Sequence, residues 1–229
     1  MADSSPVQSA GPTLTGLVAT DSVDLWRQLK FVVADSRCEI GGVDVELTGP
    51  AAGSGLVGWS FDRPIGSLLA GVPTGIAAAP TPGPAHPNGV IGVDHVVLMA
   101  SDLDDVRGEL ARAGIAIRRE RTAESGGGPL RYLFARVGST ILEVVGPVEA
   151  SGATDRADAP PARLWGLTLV SDDLDETVGT WTGVAGPIRP AIQPGRRIAS
   201  LDTRHLGGSV RLAVMTPHER RAQPPVVGS

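Results

Sequence analysis

Two stretches decide the fold of this chain: IGVDHVVLMASDLD at residues 91–104 and LWGLTLVSDDLD at residues 164–175. In the first, Ile91 to Ala100 is a near-continuous apolar run, long enough for a buried strand. Ser101 is placed to cap a helix, and Asp104 follows at capping-box spacing with Asp in place of the usual Glu or Gln. Leu103, Val106, Leu110 and Ala113 then recur at helical spacing, and Gly114 ends the helix. Ile115 to Arg121 starts apolar and ends charged, as a strand reaching an exposed edge does. Gly126 to Gly128 form a loose hairpin loop. Leu130 to Val137 and Thr140 to Val145 are two more strands, joined at Gly138-Ser139. The order is β-α-β-β-β.

The second stretch begins the same order again. Leu164 to Val170 reads as a strand, and Ser171 caps a helix carrying Leu174, Val178, Trp181 and Ala185, ended by Gly186. Arg197 to Leu201 and Ser209 to Met215 read as strands. The second strand of this copy is weak, because Ile188, Pro190, Ile192 and Pro194 alternate apolar residues with proline. An internal repeat outranks any single element in deciding architecture. The expected fold is therefore α+β: tandem βαβββ modules at 91–147 and 164–216 form one curved mixed sheet with an open cleft and helices outside.

Upstream, residues 13–75 read as a reduced N-terminal module. Glu46-Leu-Thr-Gly-Pro50 echoes Glu143-Val-Val-Gly-Pro147. Val23 to Leu29 suits a short helix, Phe31 to Ala34 a strand, and Gly55 to Phe61 an isolated strand. Residues 76–90 and 148–163 are Pro/Gly-rich or polar linkers. Residues 1–12 and the tail 217–229 carry the composition of disordered ends.

The bulk composition narrows the function classes. The 229 residues are 41% hydrophobic but only 3% aromatic, so the core is aliphatic. A net charge of -5 without a basic stripe argues against nucleic-acid partners. No apolar run approaches a membrane span, and the N-terminus lacks a secretory pattern, so the expected location is cytoplasmic with no membrane partner. The single cysteine, Cys38, forms no internal disulfide and reads as a small hydrophobe.

The repeat, opened by Asp94-His95-Val96-Val97 and closed by Leu142-Glu143-Val144-Val145, resembles the vicinal oxygen chelate superfamily, which includes glyoxalase I, extradiol dioxygenases and bleomycin-resistance proteins. Residues 86–95, HPNGVIGVDH, resemble actinobacterial glyoxalase-like members. The resemblance implies a cleft between paired modules and a divalent metal, zinc, nickel or iron, held by a first-strand His and a last-strand Glu. Carried over, these are His95 and Glu143. Alternation places Val93, His95, Val97 and Met99 on one strand face. The second copy departs from the pattern: Gly166 (Trp165 after a one-residue slip) and Ala213 occupy the matching positions. Two protein ligands are too few for an ordinary catalytic site. His86, His205 and Glu46 are the remaining donors, with nothing to place them nearby. A metal-free alternative pairs His95 with Glu143 by a hydrogen bond across the sheet.

Expected pocket residues are Tyr132, Phe134, Trp165, Thr168, Gln193, Arg196, Arg197 and Met215. Arg196-Arg197 with Gln193 and Gly195 would make an anion-binding end, set against a solvated hairpin. Arg118, Arg119 and Arg121 read as a solvated strand end, Asp94 as a strand-end polar residue and His218 as idle. The expectation is a monomer or homodimer that binds a small organic ligand. The alternatives are metal-dependent lyase, isomerase or dioxygenase chemistry at His95 and Glu143, and a degenerate module acting in protein interaction.

Overall fold

The computed structural model describes residues 11–148 and 160–218. The expected linker 148–163, the N-terminal segment 1–12 and the tail 217–229 lie largely outside them.

The C-terminal half is built on β7 (Val90–Met99), α2 (Leu103–Arg112), β8 (Ile117–Ala123), β9 (Leu130–Val137), β10 (Thr140–Pro147), β11 (Arg163–Ser171), α3 (Leu174–Thr180), β12 (Arg189–Pro190), β13 (Arg197–Leu201) and β14 (Arg211–Met215). These form one open eight-stranded sheet in the order β12-β13-β14-β11-β7-β10-β9-β8. Within each module the first strand lies parallel to the last: β7 against β10, and β11 against β14. The modules join through their first strands, β7 and β11, side by side and antiparallel. This is the α+β tandem-module architecture that the repeat predicts.

The helices follow from local chemistry, with two corrections. The N-caps are Asp102 and Asp173, not Ser101 and Ser171. Each carboxylate accepts from backbone N–H groups of the first turn, at 2.9 and 3.0 Å, which is the stronger anionic cap. Gly114, at φ 75°, supplies the left-handed residue that ends α2. Helix α3 stops at Thr180, short of the expected Gly186. Trp181 turns inward instead and donates its Nε1 proton to the Leu29 carbonyl at 2.8 Å. Leu103, Val106 and Leu110 of α2 and Leu174 of α3 bury against the outer sheet face, where Val96, Leu98, Leu142, Val144, Leu167 and Leu169 form the core. At roughly 1.5–3 kcal/mol per buried aliphatic side chain, this face is the main source of module stability.

The N-terminal half is β1 (Leu14–Ala19), α1 (Val23–Gln28), β2 (Arg37–Ile40), β3 (Val43–Leu47), β4 (Leu56–Phe61), β5 (Leu68–Leu69) and β6 (Val72–Ile76). Its six-stranded sheet has the order β2-β3-β1-β4-β6-β5. β1 is parallel to β3, β4 is parallel to β6, and β1 and β4 meet antiparallel. That repeats the centre of the larger sheet with outer strands removed, so this half is a pair of reduced modules. Residues 56–61 are therefore not an isolated strand. Residues 31–33 are not a strand either: Phe31 is drawn into a ring cluster with Trp26, His86 and Trp181.

Buried polar contacts tie the halves together. Asp21 accepts from the backbone N–H groups of Ser209 and Val210 and from the Ser209 hydroxyl. Asn88 and Trp181 both donate to the Leu29 carbonyl. Cys38 is fully buried, and burial pushes its thiol up to about 12. Among the described residues no helix is long and apolar enough to cross a membrane.

Candidate functional site

Both outermost strands of the larger sheet, β8 and β12, contribute to one cavity of about 480 Å³, so the open sheet curls around it. Its lining includes His95, Glu143, Phe134 and Ile141 from the first module, and Ile198, Met215 and the Pro190–Pro194 loop from the second. A wider depression of about 720 Å³ lies at the junction of the halves. Of its charged residues Asp202 and Arg204 pair with each other and Arg211 lies over the Trp165 ring, and no histidine is among the described residues that line it.

A β-bulge sets the centre of the cavity. His95 pairs with Thr168 and Val93 with Leu169, leaving Asp94 without a partner across the β7–β11 ladder. An extra residue of this kind breaks the strict alternation of faces. Val93 consequently belongs to the core with Leu169, and does not share the face of His95 as simple alternation predicts. Asp94 turns toward the His95 side. Its Oδ2 accepts from His95 Nδ1 at 2.8 Å, and its Oδ1 accepts from Arg196 Nη2 at 2.6 Å.

Arg196 is buried. It also donates to the Thr216 carbonyl through Nε and Nη2, and to His218 Nε2 through Nη1 at 3.1 Å. Burial alone would raise the Asp94 carboxyl, but the hydrogen bonds and charges of His95 and Arg196 hold it at about 2. Asp94 is thus anionic at neutral pH and accepts the Nδ1 proton of His95, which turns Nε2 toward Glu143.

Glu143 lies on β10, one pleat along from Ile141, the residue paired with His95. Its Oε2 is 3.9 Å from His95 Nε2. That is close enough for charge attraction and too far for a hydrogen bond. The expected His95–Glu143 hydrogen bond is therefore replaced by His95–Asp94, because the bulge brings a carboxylate nearer. Burial raises the Glu143 carboxyl above its ordinary value; the charges of His95 and Arg121 offset this in part, and Asp94 adds to it.

The second module shows the same bulge without the polar groups. Leu164 pairs with Leu98 and Gly166 with Val97, so Trp165 is the extra residue. The 71-residue offset that relates Asp102 to Asp173 relates Asp94 to Trp165 and His95 to Gly166. Glu143 sits opposite Val97, and Ala213 opposite Thr168, which makes Ala213 its counterpart. A side chain at Gly166 would put its Cβ 3.0 Å from the Arg211 carbonyl oxygen.

These facts bear on a metal. His86 is spent on Val32 N–H and the Glu39 carbonyl, Glu46 pairs with Arg37, and His205 lies in a 3-10 turn away from the cavity lining. Among the described residues no three His, Cys, Asp or Glu side chains are grouped to hold a metal ion. His218 lines the cavity but its Nε2 accepts from Arg196, and Asp94 is occupied by His95 and Arg196, so among the described residues the donors left, His95 and Glu143, are fewer than a resident metal ordinarily takes.

Of the expected pocket residues, Phe134, Gln193 and Met215 line the cavity beside His95 and Glu143. Thr168 is buried next to His95. Tyr132 stands behind Phe134, the two rings stacked 6.4 Å apart. Three expectations are corrected. Trp165 lies off the cavity, 38% exposed beneath Arg211, because its bulge re-aims it. Arg196 is occupied by Asp94, and Arg197 pairs with Asp175 on the surface, so neither forms an anion-binding end.

Sequence reasoning missed Asp94, His218, Arg119 and Arg121. The arginines reach the cavity through another bulge: Ile117 pairs with Ala135 and Arg119 with Phe134, leaving Arg118 as the extra residue. Ile117 packs on the core while Arg119 and Arg121 line the cavity. The spacing of Arg119 and Arg121, two apart on one strand, was the available signal.

No family model and no curated protein matches the sequence. Solved structures do match the fold. A triple mutant of 4-hydroxymandelate synthase from Streptomyces coelicolor is 13% identical, with a TM-score of 0.64 over 93% of this chain and 95% of that one. A xylose isomerase-like TIM barrel/4-hydroxyphenylpyruvate dioxygenase fusion protein is 11% identical, with a TM-score of 0.63 over 94% of this chain and 50% of that one. A catechol 2,3-dioxygenase is 13% identical, with a TM-score of 0.54 over 91% and 94%. The chain has the vicinal oxygen chelate fold. At these identities the likeness extends to architecture alone.

Proposed function

We propose that this chain binds a small organic molecule in the cleft between its two complete modules and does so without a metal. The observation that carries the reading is the asymmetry of the cleft. One module supplies His95 and Glu143; the equivalent positions of the other are Gly166 and Ala213. What remains is a largely apolar lining of Ile198, Met215, Pro190, Ile192, Phe134 and Ile141 with a smaller set of polar groups among them. A cavity of about 480 Å³ with this mix suits a small organic ligand. The test is a thermal-shift screen of small organic molecules on chelator-treated protein. Hits that shift the wild type, and shift a Phe134→Ala variant less, support the reading. Hits that appear only after a divalent metal is restored contradict it.

A second reading, proton transfer within the bound molecule, is favoured by one observation. Asp94 fixes the proton of His95 on Nδ1, which leaves Nε2 as a base aimed into the cleft. The Glu143 carboxyl, raised by burial, would serve as its proton-exchanging partner. A ligand from the screen whose acidic C–H exchanges in D₂O with wild type but not with His95→Gln supports it. Equal exchange with both proteins rejects it.

A further inference from the structure

Arg119 and Arg121 face the cleft from β8, and both line the cavity. Neither has a carboxylate within ion-pair distance among the described residues. Elsewhere Arg37 is paired with Asp44 and Glu46, Arg131 with Asp104 and Glu120, and Arg197 with Asp175. Asp94 is occupied by Arg196 and His95, so the one carboxylate left on the described cavity wall is Glu143. The wall therefore carries an excess of fixed positive charge in a chain whose net charge is -5.

Arg121 is also held in place. The Arg121 guanidinium stacks over the Tyr132 ring at 4.3 Å and lies 5.8 Å from the Phe134 ring centre. Arg119 sits directly across the ladder from Phe134. Stacking fixes the plane of a guanidinium and leaves its N–H edge for an acceptor in that plane. The same Phe134 ring lines the cavity, so an apolar body resting on it brings an attached acid group toward the arginine edges.

We infer that the ligand is an organic carboxylate on a flat apolar body, its acid group taken by Arg119 and Arg121 and its body by Phe134, Ile198 and Met215. This rests on the small-molecule reading of the same cleft. Charge-assisted contacts to a guanidinium edge select the anion over an uncharged isostere.

The test uses a panel of aromatic and aliphatic acids, namely benzoate, cinnamate, 2-naphthoate, indole-3-acetate and octanoate, each with its primary amide. Binding is measured by isothermal titration to wild type, to Arg119→Gln and to the double variant Arg119→Gln/Arg121→Gln. The expected result is at least one of the four aromatic acids that binds wild type about tenfold or more tightly than its amide and more tightly than octanoate, with that advantage over the amide lost in the double variant and weakened by salt. Arg119→Gln, at an exposed position, gives an intermediate loss with an unchanged melting temperature, which is measured to show that folded proteins are compared. Acids and amides that bind equally, with no effect of either substitution, overturn the inference while leaving the small-molecule reading intact. A panel in which nothing binds overturns the inference, and the thermal-shift screen decides the small-molecule reading separately.

Discussion

Replacing Asp94 by Asn removes the charge at the centre of the site and keeps its shape. In the native protein the Asp94 and Arg196 side chains are each 2% exposed and 2.6 Å apart. Losing one partner of such a buried pair typically costs about 3–5 kcal/mol, because the other charge stays buried. A separate figure comes from proton linkage. A carboxyl held at about 2 in place of its ordinary 3.8 contributes roughly 2–3 kcal/mol near neutral pH. The asparagine carbonyl can still accept from Arg196, and Thr216 and His218 keep their contacts, so the expected loss is about 2–4 kcal/mol. For a chain of this size that lowers the melting temperature by roughly 5–15 °C.

The pH dependence has a definite sign. The folded value is depressed, so the stabilisation is fully present above 3.8 and is lost as pH falls through about 2. Urea unfolding of wild type and Asp94→Asn at about pH 7 and about pH 3 should show a wide gap that narrows on acidification. The Asn amide must also face His95 Nδ1, which moves the imidazole proton to Nε2, a change visible in the ¹⁵N shifts of the ring. A gap at neutral pH below about 1 kcal/mol, or one that does not narrow in acid, would refute the assignment of Asp94 as a buried, charge-bearing centre.

Three other perturbations have defined outcomes. Glu143→Gln should raise the melting temperature. The folded carboxyl is raised by burial, so its penalty is absent below the ordinary 4.5 and grows as pH rises through the folded value; a flat difference across that range would contradict this. Gly166→Ala should cost about 1–3 kcal/mol in urea unfolding, since its Cβ meets the Arg211 carbonyl at 3.0 Å, and an unchanged midpoint would show that β14 yields freely. Asp21→Ala should cost about 3 kcal/mol by stranding the Ser209 and Val210 N–H groups at the junction of the two halves; hydrogen exchange at residues 209–210 should rise, and unchanged protection would argue against that tie.

The repeat was legible because each copy carries its own strand run, anionic helix start and closing strand within one contiguous segment. The N-terminal pairing was not, since β5 and β6 are short and Pro73 and Gly75 interrupt the second, leaving no period to read. His95 and Glu143 could be placed on adjacent strands by resemblance. Their surroundings could not, because three bulges, at Asp94, Trp165 and Arg118, decide which side chains enter the cleft. Alternation is a local rule, whereas a bulge is fixed by the register of the neighbouring strand. Alternation fails at Val93 and Trp165 for that one reason, and it does not show that Arg119 and Arg121, on an edge strand as expected, also line the cavity. Arg196 is expected at an anion-binding end or in a solvated hairpin and is found in neither, because its partner, Asp94, lies 102 residues away and no local pattern joins them.

The central claim is a cleft that binds a small organic molecule without a metal. The most direct measurement is the affinity of the best screening hit by isothermal titration, first to exhaustively chelated protein and then after addition of Zn²⁺, Ni²⁺ or Fe²⁺. The account predicts the same affinity, within about threefold, in all four conditions. Binding that disappears on chelation and returns with one of the metals, but not in a His95→Ala variant, would contradict it.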